Sequence, residues 1–282
     1  SRPSRAAPSL CGRSPHSPWC LHLVAPRKAE TGTPRERLRF STFPQPWPSL
    51  LSRIAGGDRD SLMGSGRESL AYVLWLHGMG DSGSSWEDLP EELPQTMSWL
   101  RWQFPDAPVQ PVTAEGGTRM PSWFDLERFP VVEGLEHDGL TEAVATVHAM
   151  LQKVERLGFP AGRIVLGGFS QGAMLALQAG LTHSSPLAGV CALSGWIPAG
   201  LAGKVKHPST PVLMCHGSED DVVLTAAGRR SSELLREAGC NKLRFQEYRG
   251  LPHSASPAVF ADVGEFLLAQ LPPPRGAEGL GA

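Results

Sequence analysis

Short, nearly continuous apolar runs recur along the chain from about residue 71 onwards. They lie at Tyr72–Leu76, Ile164–Gly167, Ala188–Leu193, Val212–Cys215 and Leu243–Tyr248. The first four contain few polar positions, as expected for strands that are covered on both faces of a sheet. The pattern therefore predicts at least five strands, most of them buried.

Helical periodicity occupies segments between and after these runs. In residues 139–157 the apolar side chains recur at spacings of three and four and so share one face of a helix. They are Ala143, Val144, Val147, Met150, Leu151 and Val154. Segments 171–182, 224–238 and 257–270 follow a similar pattern. Strands that alternate with helices pair in parallel through right-handed crossovers, which predicts an α/β fold with a mostly parallel central sheet and helices on both faces.

The N-terminal part of the chain has a different composition. Residues 1–66 are rich in Ser, Pro and Arg and poor in acidic residues, which predicts a largely disordered extension. This bias is typical of an organelle transit peptide, and an upstream extension of the reading frame, with Met63 as a later initiator, is the alternative. We expect a folded domain over residues 67–272 and a disordered tail over residues 273–282.

Charge and hydropathy exclude two classes of partner. Residues 1–57 hold nine of the 26 Lys and Arg residues and two of the 28 acidic ones, which leaves 17 basic and 26 acidic residues after position 57, a net charge of −9. An acidic domain argues against a nucleic-acid partner. No apolar run approaches the ~18 residues that a membrane span needs, so only transient contact with a membrane surface is compatible with the sequence.

The cysteines predict a reducing environment. There are five, at Cys11, Cys20, Cys191, Cys215 and Cys240. Their odd number and irregular spacing indicate neither a disulfide framework nor a zinc site. We therefore expect no metal and a cytoplasmic location, or a chloroplast or mitochondrion if residues 1–62 are a transit peptide.

A polar Ser-Gln pair stands between glycines where the second predicted strand ends and a helix begins. Residues 168–172, "GFSQG", form a G-x-S-x-G sequence, which alone is a weak signal because about 0.3 matches arise by chance in a chain this rich in glycine. A strand before it and a helix after it are the setting of a nucleophile elbow, in which the serine hydroxyl stands above the sheet. The alternative is a glycine-rich turn in which Ser170 caps the helix.

A nucleophilic serine needs a base and an orienting acid, which in this fold follow in the order Ser, Asp or Glu, His. The loop after the strand at 212–215 carries Glu219, Asp220 and Asp221, although such carboxylates often cap the next helix. His253 alone of the nine histidines follows that loop, so it is either the base or a surface histidine. Both loops follow strands at the edge where open α/β sheets hold their sites.

A second glycine loop, "HGMGDSG", supports a competing interpretation. Residues 78–83 match the dinucleotide-binding pattern G-x-G-x-x-G after a strand, and Asp106 lies near the distance expected for a ribose contact. Asp106, however, follows a Phe-Pro pair in a Pro-rich loop and not a clean second strand. In a hydrolase the same loop has another use, because the backbone N–H groups of Met79 and Gln171 would converge on a developing oxyanion.

Residues from about 70 to 272 resemble the acyl-protein thioesterases, also called the lysophospholipase/carboxylesterase family of α/β-hydrolases. The resemblance rests on "LHGMGDSGSSW", "FPDAPVQPVTAEGGTRMPSWFD", "GGFSQGAMLAL", "AGVCALSGWIP", "CHGSEDDVV" and "LPHSAS". It implies an α/β-hydrolase fold and the following residues: a triad of Ser170, Asp220 and His253 and an oxyanion hole of Met79 and Gln171.

The resemblance also implies an activity. Family members hydrolyse acyl thioesters on S-acylated proteins, lysophospholipids and small carboxylic esters, and they need no cofactor. The "GGTRMPSWFD" loop would border an acyl-chain channel with Met120, Trp123 and Phe124 as wall residues, and core packing is the alternative for the two aromatic residues. A short-chain carboxylesterase without protein substrates and a non-catalytic ligand receptor are the alternative functions.

Two positions depart from the family's pattern. Asp221 stands where the family usually has Pro, and this second carboxylate could compete for the histidine or raise its neighbour's pKa by like-charge repulsion. Register favours Asp220 as the acid. Ala173 stands where the family usually has a second glycine, which adds one methyl group at the helix start.

Overall fold

A computed structural model of the chain describes residues 70–131 and 135–274. Residues 1–69, 132–134 and 275–282 lie outside the described part of the chain. The predicted N-terminal extension and most of the predicted C-terminal tail fall among them, so the domain bounds drawn from the sequence stay predictions.

Strands and helices occur in the following order within the described residues. The strands are β1 (Ala71–Leu76), β2 (Leu100–Gln103), β3 (Val109–Val112), β4 (Thr118–Pro121), β5 (Ile164–Phe169), β6 (Gly189–Leu193), β7 (Val212–Gly217) and β8 (Leu243–Tyr248). The α-helices are α1 (Leu89–Glu92), α2 (Leu140–Arg156), α3 (Gln171–Thr182), α4 (Thr225–Glu237) and α5 (Pro257–Gln270). Short 3-10 helices lie at Gly83–Trp86, Thr113–Glu115, Ala161–Arg163 and Ala202–Lys204.

Six strands form one sheet in the order β2-β1-β5-β6-β7-β8, and every neighbouring pair is parallel. This confirms the prediction of an α/β fold with a parallel central sheet. Because parallel strands point the same way, the loops that follow β1, β5, β7 and β8 all open at one edge. The chemistry-bearing loops of the sequence therefore meet there.

Different helices cover the two faces of this sheet. On one face, Leu74, Leu166 and Met214 belong to the main hydrophobic cluster together with the buried faces of α2, α3 and α4. Burial of each such side chain contributes roughly 2 kcal/mol. On the other face α5 packs on β6, where a Cβ at Gly189 would lie 2.7 Å from the ring of Phe266. The prediction of helices on both faces is confirmed.

The apolar pattern located five strands and four helices to within two residues at each end. It missed β2, a partly exposed edge strand without a continuous apolar run. It also missed β3 and β4, an antiparallel ribbon in which Val109 pairs with Pro121. The two short strands were not predicted because each contains a proline, which cannot donate to a ladder of hydrogen bonds and is found mainly at sheet edges.

Candidate active site

Ser170 lies at the junction of β5 and α3. Its backbone has φ 55° and ψ −118°, and Ser194 is the other non-glycine residue with positive φ among those the structure describes. An L-residue in this region is strained, and such strain persists only where the surroundings over-determine it. Here the Ser170 N–H donates to the carbonyl of Leu193 at 2.8 Å, which holds the turn against the end of β6.

The glycines around Ser170 are required by close packing of backbone atoms. A Cβ at Gly168 would lie 2.6 Å from the backbone of Gly172, and a Cβ at Gly172 would lie 2.2 Å from the carbonyl oxygen of Leu76. Backbone atoms cannot rotate aside as the end of a side chain can. The start of α3 can therefore approach β1 and β5 this closely only where side chains are absent.

Ala173 occupies space that another glycine leaves open. A Cβ at Gly195 would lie 2.8 Å from the Ala173 methyl group. The additional methyl group of Ala173 therefore packs against Gly195, so this departure from the family's pattern affects packing.

Three side chains from three loops form a continuous chain of hydrogen bonds. His253 Nε2 lies 2.9 Å from Ser170 Oγ, and His253 Nδ1 lies 2.7 Å from Asp220 Oδ2. The Asp220 side chain is fully buried, whereas 8% of the His253 side chain stays exposed. A neutral imidazole that donates Nδ1–H to the carboxylate presents an unprotonated Nε2 to the serine hydroxyl. This arrangement can take a proton from the serine.

His253 reaches Asp220 because the loops after β7 and β8 are joined. The Glu219 N–H donates to the carbonyl of Leu251 at 3.0 Å. At Gly217 a Cβ would lie 2.1 Å from that same carbonyl oxygen, so only glycine permits the approach. The loop of Asp220 and the loop of His253 are thus held side by side.

Asp220 is held as a carboxylate. Its Oδ1 accepts hydrogen bonds from the N–H groups of Val222 at 3.0 Å and Val223 at 2.8 Å. Burial by itself raises the pKa of Asp220, but hydrogen bonds from His216 and His253 outweigh burial and hold this pKa well below its ordinary value. The group therefore stays ionised at neutral pH.

The structure distinguishes the three acidic residues of this loop. Glu219 and Asp221 are exposed, whereas Asp220 is buried and makes the hydrogen bond to His253. Register and the family resemblance favoured Asp220 over Asp221, and it is Asp220 that meets His253 Nδ1. Its role as the acid stays a prediction.

The loop after β1 lies directly beside Ser170. A Cβ at Gly78 would be 3.4 Å from the Cβ of Ser170, which places the Met79 amide near the serine. Neither the Met79 N–H nor the Gln171 N–H donates to a backbone acceptor in the turns and loops of the described residues. Two backbone donors therefore remain available near Ser170, one of them at the N-terminus of α3, where the helix dipole favours negative charge.

The Gln171 side chain joins α3 to the segment after β4. Its Nε2 donates to the carbonyl of Phe124 at 2.8 Å, and its Oε1 accepts from the Trp123 N–H at 3.0 Å. Trp123 Nε1 in turn donates to the carbonyl of His77 at 2.9 Å. These bonds hold the start of the glycine loop against the start of α3.

His77 and His216 are residues at the site that the sequence analysis missed. His77 Nε2 accepts from the Ala107 N–H at 2.9 Å, so its Nδ1 donates to the carbonyl of Gly78. Burial lowers the pKa of His77, which keeps the ring neutral. Each histidine lies near the end of a strand and is followed by glycine, in "LHG" and "CHG", and that repeated dipeptide is the signal that could have identified them.

Asp106 anchors the glycine loop. Its Oδ1 accepts from the Gly83 N–H at 2.8 Å, and a Cβ at Gly83 would lie 2.0 Å from the carbonyl oxygen of Phe104. Packing therefore accounts for the glycine and the aspartate that had suggested a dinucleotide site.

The three candidate acyl-channel residues have different surroundings. Met120 is half-buried beside Gly80, where a Cβ would lie 3.6 Å from its sulfur. Trp123 and Phe124 are buried in the main hydrophobic cluster. The assignment of all three residues to a channel wall stays a prediction. Of the three, Met120 is the one whose side chain is partly exposed.

The described residues offer neither a metal site nor a membrane-spanning helix. Within residues 70–131 and 135–274, no three His, Cys, Asp or Glu side chains are grouped so that they could hold a metal ion. None of the helices in the same ranges combines the length and the apolar character that crossing a membrane requires.

The chain is similar to known proteins over most of its length. The model of the phospholipase/carboxylesterase family matches residues 61–271. Acyl-protein thioesterase 1 of Mycosarcoma maydis is 37% identical over 229 residues, which are 74% of this chain and 94% of that protein. A probable carboxylesterase of Oryza sativa subsp. japonica is 39% identical over 193 residues, covering 66% and 72% of the two chains. The crystal structure of Arabidopsis thaliana SOBER1 is similar with a TM-score of 0.68 at 33% identity, covering 71% of this chain and 99% of that one.

Proposed function

This chain belongs to the phospholipase/carboxylesterase family of α/β-hydrolases and is a serine hydrolase of acyl esters and thioesters, and from that premise we propose that it works through an acyl-enzyme formed on Ser170. The observation that supports the proposal is the unbroken chain of hydrogen bonds from Ser170 through His253 to Asp220. Without those hydrogen bonds Ser170 would be a weak nucleophile at neutral pH.

In the acylation step, Ser170 Oγ attacks the acyl carbonyl carbon as its proton passes to His253 Nε2. The carbonyl oxygen becomes an oxyanion, which the N–H groups of Met79 and Gln171 stabilise. Loss of one such donor typically costs about 3 kcal/mol of transition-state stabilisation. The bond to the leaving thiol or alcohol then breaks, and that group takes the proton from His253.

In the deacylation step, His253 removes a proton from water, which attacks the acyl-enzyme carbonyl and releases the carboxylic acid and Ser170. Asp220 stabilises the positively charged imidazole that forms in both steps. Its low pKa suits this role, because the carboxylate stays ionised throughout.

We propose S-acylated proteins, lysophospholipids and small acyl esters as the substrates, since the relatives include an acyl-protein thioesterase and a probable carboxylesterase. Preference among them depends on acyl length, because each buried methylene contributes ~0.8 kcal/mol. We infer that Met120, half-buried beside Gly80 in the loop after β1, contacts the first carbons of the acyl chain.

Labelling with a fluorophosphonate probe tests the proposed nucleophile. Wild-type protein should be labelled, and Ser170→Ala should lose labelling and reduce ester turnover by several orders of magnitude. Ser194→Ala is the matched control, because Ser194 also has positive φ and is buried but lies outside the chain of hydrogen bonds. An unlabelled wild type would make the protein a ligand receptor with a hydrolase fold.

A comparison of kcat/KM across acyl lengths then tests the substrate class. Thioesters and oxygen esters of the same acyl group are compared on the wild type and on Met120→Ala. Loss of the Met120 side chain should reduce kcat/KM more for longer acyl chains than for acetyl esters. An equal effect at every length would contradict contact between Met120 and the acyl chain.

We also propose that the enzyme acts in a reducing compartment such as the cytoplasm. The described part of the chain contains Cys191, Cys215 and Cys240 as buried free thiols. Imaging of the full chain with a C-terminal tag, beside a variant that lacks residues 1–62, distinguishes the cytoplasm from an organelle.

A further inference from the structure

His216 contacts the acid of the triad in addition to His253. It lies near the end of β7, and its Nε2 is 2.8 Å from the carbonyl oxygen of Val223 and 3.3 Å from Asp220 Oδ2. A carbonyl and an ionised carboxylate can only accept hydrogen bonds, so His216 Nε2 must carry a proton. Its side chain is buried, and the interaction is shielded from water.

Val223 joins His216 and Asp220 through its backbone. Its N–H donates to Asp220 Oδ1 at 2.8 Å, and its carbonyl accepts from His216. The carboxylate is thereby surrounded by four donors, with the amides of Val222 and Val223 on Oδ1 and the two imidazoles on Oδ2. A carboxylate held at both oxygens cannot rotate without breaking several of these bonds.

A glycine in α4 makes room for the His216 ring. A Cβ at Gly228 would lie 2.3 Å from His216 Nδ1. Glycine is unfavourable inside a helix, so its presence there is explained by the ring that it admits.

The ionisable group in contact with His216 is Asp220. On β8 the nearest ring is that of Phe245, with centroids 6.4 Å apart. Charged side chains on the neighbouring elements pair elsewhere: Arg229 of α4 pairs with Glu247 of β8 at 2.6 Å, Arg230 of α4 with Glu233 at 3.2 Å, and Arg244 of β8 with Asp262 at 3.1 Å. Asp220 itself faces the two histidines.

We propose that His216 is a positioning residue for hydrolysis: it donates its Nε2–H to Asp220 and Val223 and so holds Asp220 Oδ2 against His253 Nδ1. This inference rests on the proposed triad. His216 acts through Asp220 and not on the substrate. Because it shares the oxygen that meets His253, it also reduces the carboxylate's attraction for the protonated form of His253.

His216→Phe tests the role, since it keeps a ring and removes the donor. We expect kcat to fall 10- to 100-fold, on the order of other losses of a group that orients a functional side chain, with little change in KM. The low-pH limb of kcat/KM should move to higher pH, because Asp220 then stabilises protonated His253 more strongly. A purely structural role would lower the amount of folded enzyme without moving that limb.

Two more variants complete the test. His216→Gln places an amide N–H near the former Nε2 and should recover most of the activity and the wild-type limb. His216→Asn is too short to reach Asp220 and should reproduce the loss if the Phe variant does not fold. His148→Phe is the matched control, because His148 Nε2 also meets a backbone carbonyl, that of Ala179 at 2.9 Å, far from this loop.

The outcomes separate this inference from the proposed function. Folded His216→Phe or His216→Asn with the wild-type limb and kcat overturns the role of His216 while the triad stands. Failure of the wild type to react with a fluorophosphonate overturns the triad itself. A low-pH limb of kcat/KM that moves in His216→Phe and returns to its wild-type position in His216→Gln supports both the role of His216 and the triad.

Discussion

The two sides of the proposed active site, the turn of Ser170 and the loops of Asp220 and His253, are held in place by different forces. On the nucleophile side, Ser170 lies in a strained turn, and backbone contacts at Gly168 and Gly172 leave no room for a side chain. On the acid–base side, Asp220 and His253 lie in loops and are oriented by hydrogen bonds. Steric contacts do not depend on pH, whereas bonds to an ionised group do.

This difference determines how each side should respond to mutation. A side chain added at Gly168 or Gly172 meets backbone atoms that cannot yield, so it should affect folding. A change of the Asp220 carboxylate keeps its volume but removes a proton acceptor, so it should affect the reaction.

Asp220→Asn breaks the acid–base side. The amide cannot stabilise the imidazolium, and we expect kcat to fall about 10⁴-fold, as loss of the orienting acid does in Ser-His-Asp enzymes. Steady-state kinetics with a thioester measure this. Asp221→Asn is the control and should stay within about twofold, since that side chain is exposed. If kcat fell about 10⁴-fold in Asp221→Asn and not in Asp220→Asn, Asp221 would be the acid.

Gly172→Ala breaks the nucleophile side. Its Cβ would lie 2.2 Å from the Leu76 carbonyl oxygen, so we expect a loss on the order of 4 kcal/mol in the free energy of unfolding, or no folded protein. Denaturant titration measures it. Gly162→Ala is the control, because a Cβ there has no neighbour within 4 Å, and it should change stability by less than about 0.5 kcal/mol.

The pH dependence of stability sharpens the comparison. The folded-state pKa of Asp220 is lowered, so its ionisation stabilises the fold above the unfolded-state value of about 3.9, and this contribution is lost as the pH falls below it. The difference in unfolding free energy between wild type and Asp220→Asn should therefore shrink by on the order of 2 kcal/mol from pH 6 to pH 2. A constant difference in urea titrations across this range would contradict the assignment.

Gly228→Ala should have the smallest effect. An alanine in an exposed helix interior would stabilise α4 by about 1 kcal/mol, but here the methyl group meets His216, and we expect a loss of about 1 kcal/mol instead. Thermal unfolding measures the sign. In a His216→Ala background the same change should become stabilising, because the ring is gone, and equal effects in both backgrounds would show that the two residues do not interact.

The sequence by itself determined five of the strands, four of the helices and the turn at Ser170. Runs such as Ile164–Gly167 and the periodicity of residues 139–157 are local signals, and so is the G-x-S-x-G pattern, because the glycine requirement is a property of the turn. The glycine loop after β1 and the turn at Ser170 pointed to the N–H groups of Met79 and Gln171 as oxyanion donors, and the family resemblance implies the same two residues. Edge strand β2 and the β3–β4 ribbon were not predicted. The apolar pattern of β2 is short, and that of β3 and β4 is interrupted by proline.

Only the tertiary structure brought His216 to Asp220, and it placed Asp220, which register had favoured over Asp221, against His253. Both facts depend on the directions in which side chains point: His216 and Asp220 are four residues apart and Asp220 and Asp221 are adjacent, and spacing along a sequence does not contain those directions. The tertiary structure also explains why residues 172 and 228 are glycines. A Cβ at Gly172 would clash with Leu76 O and one at Gly228 with the His216 ring, and both of these groups belong to other elements. Local pattern sets which segments become strands and helices, and packing among those segments decides which polar groups meet.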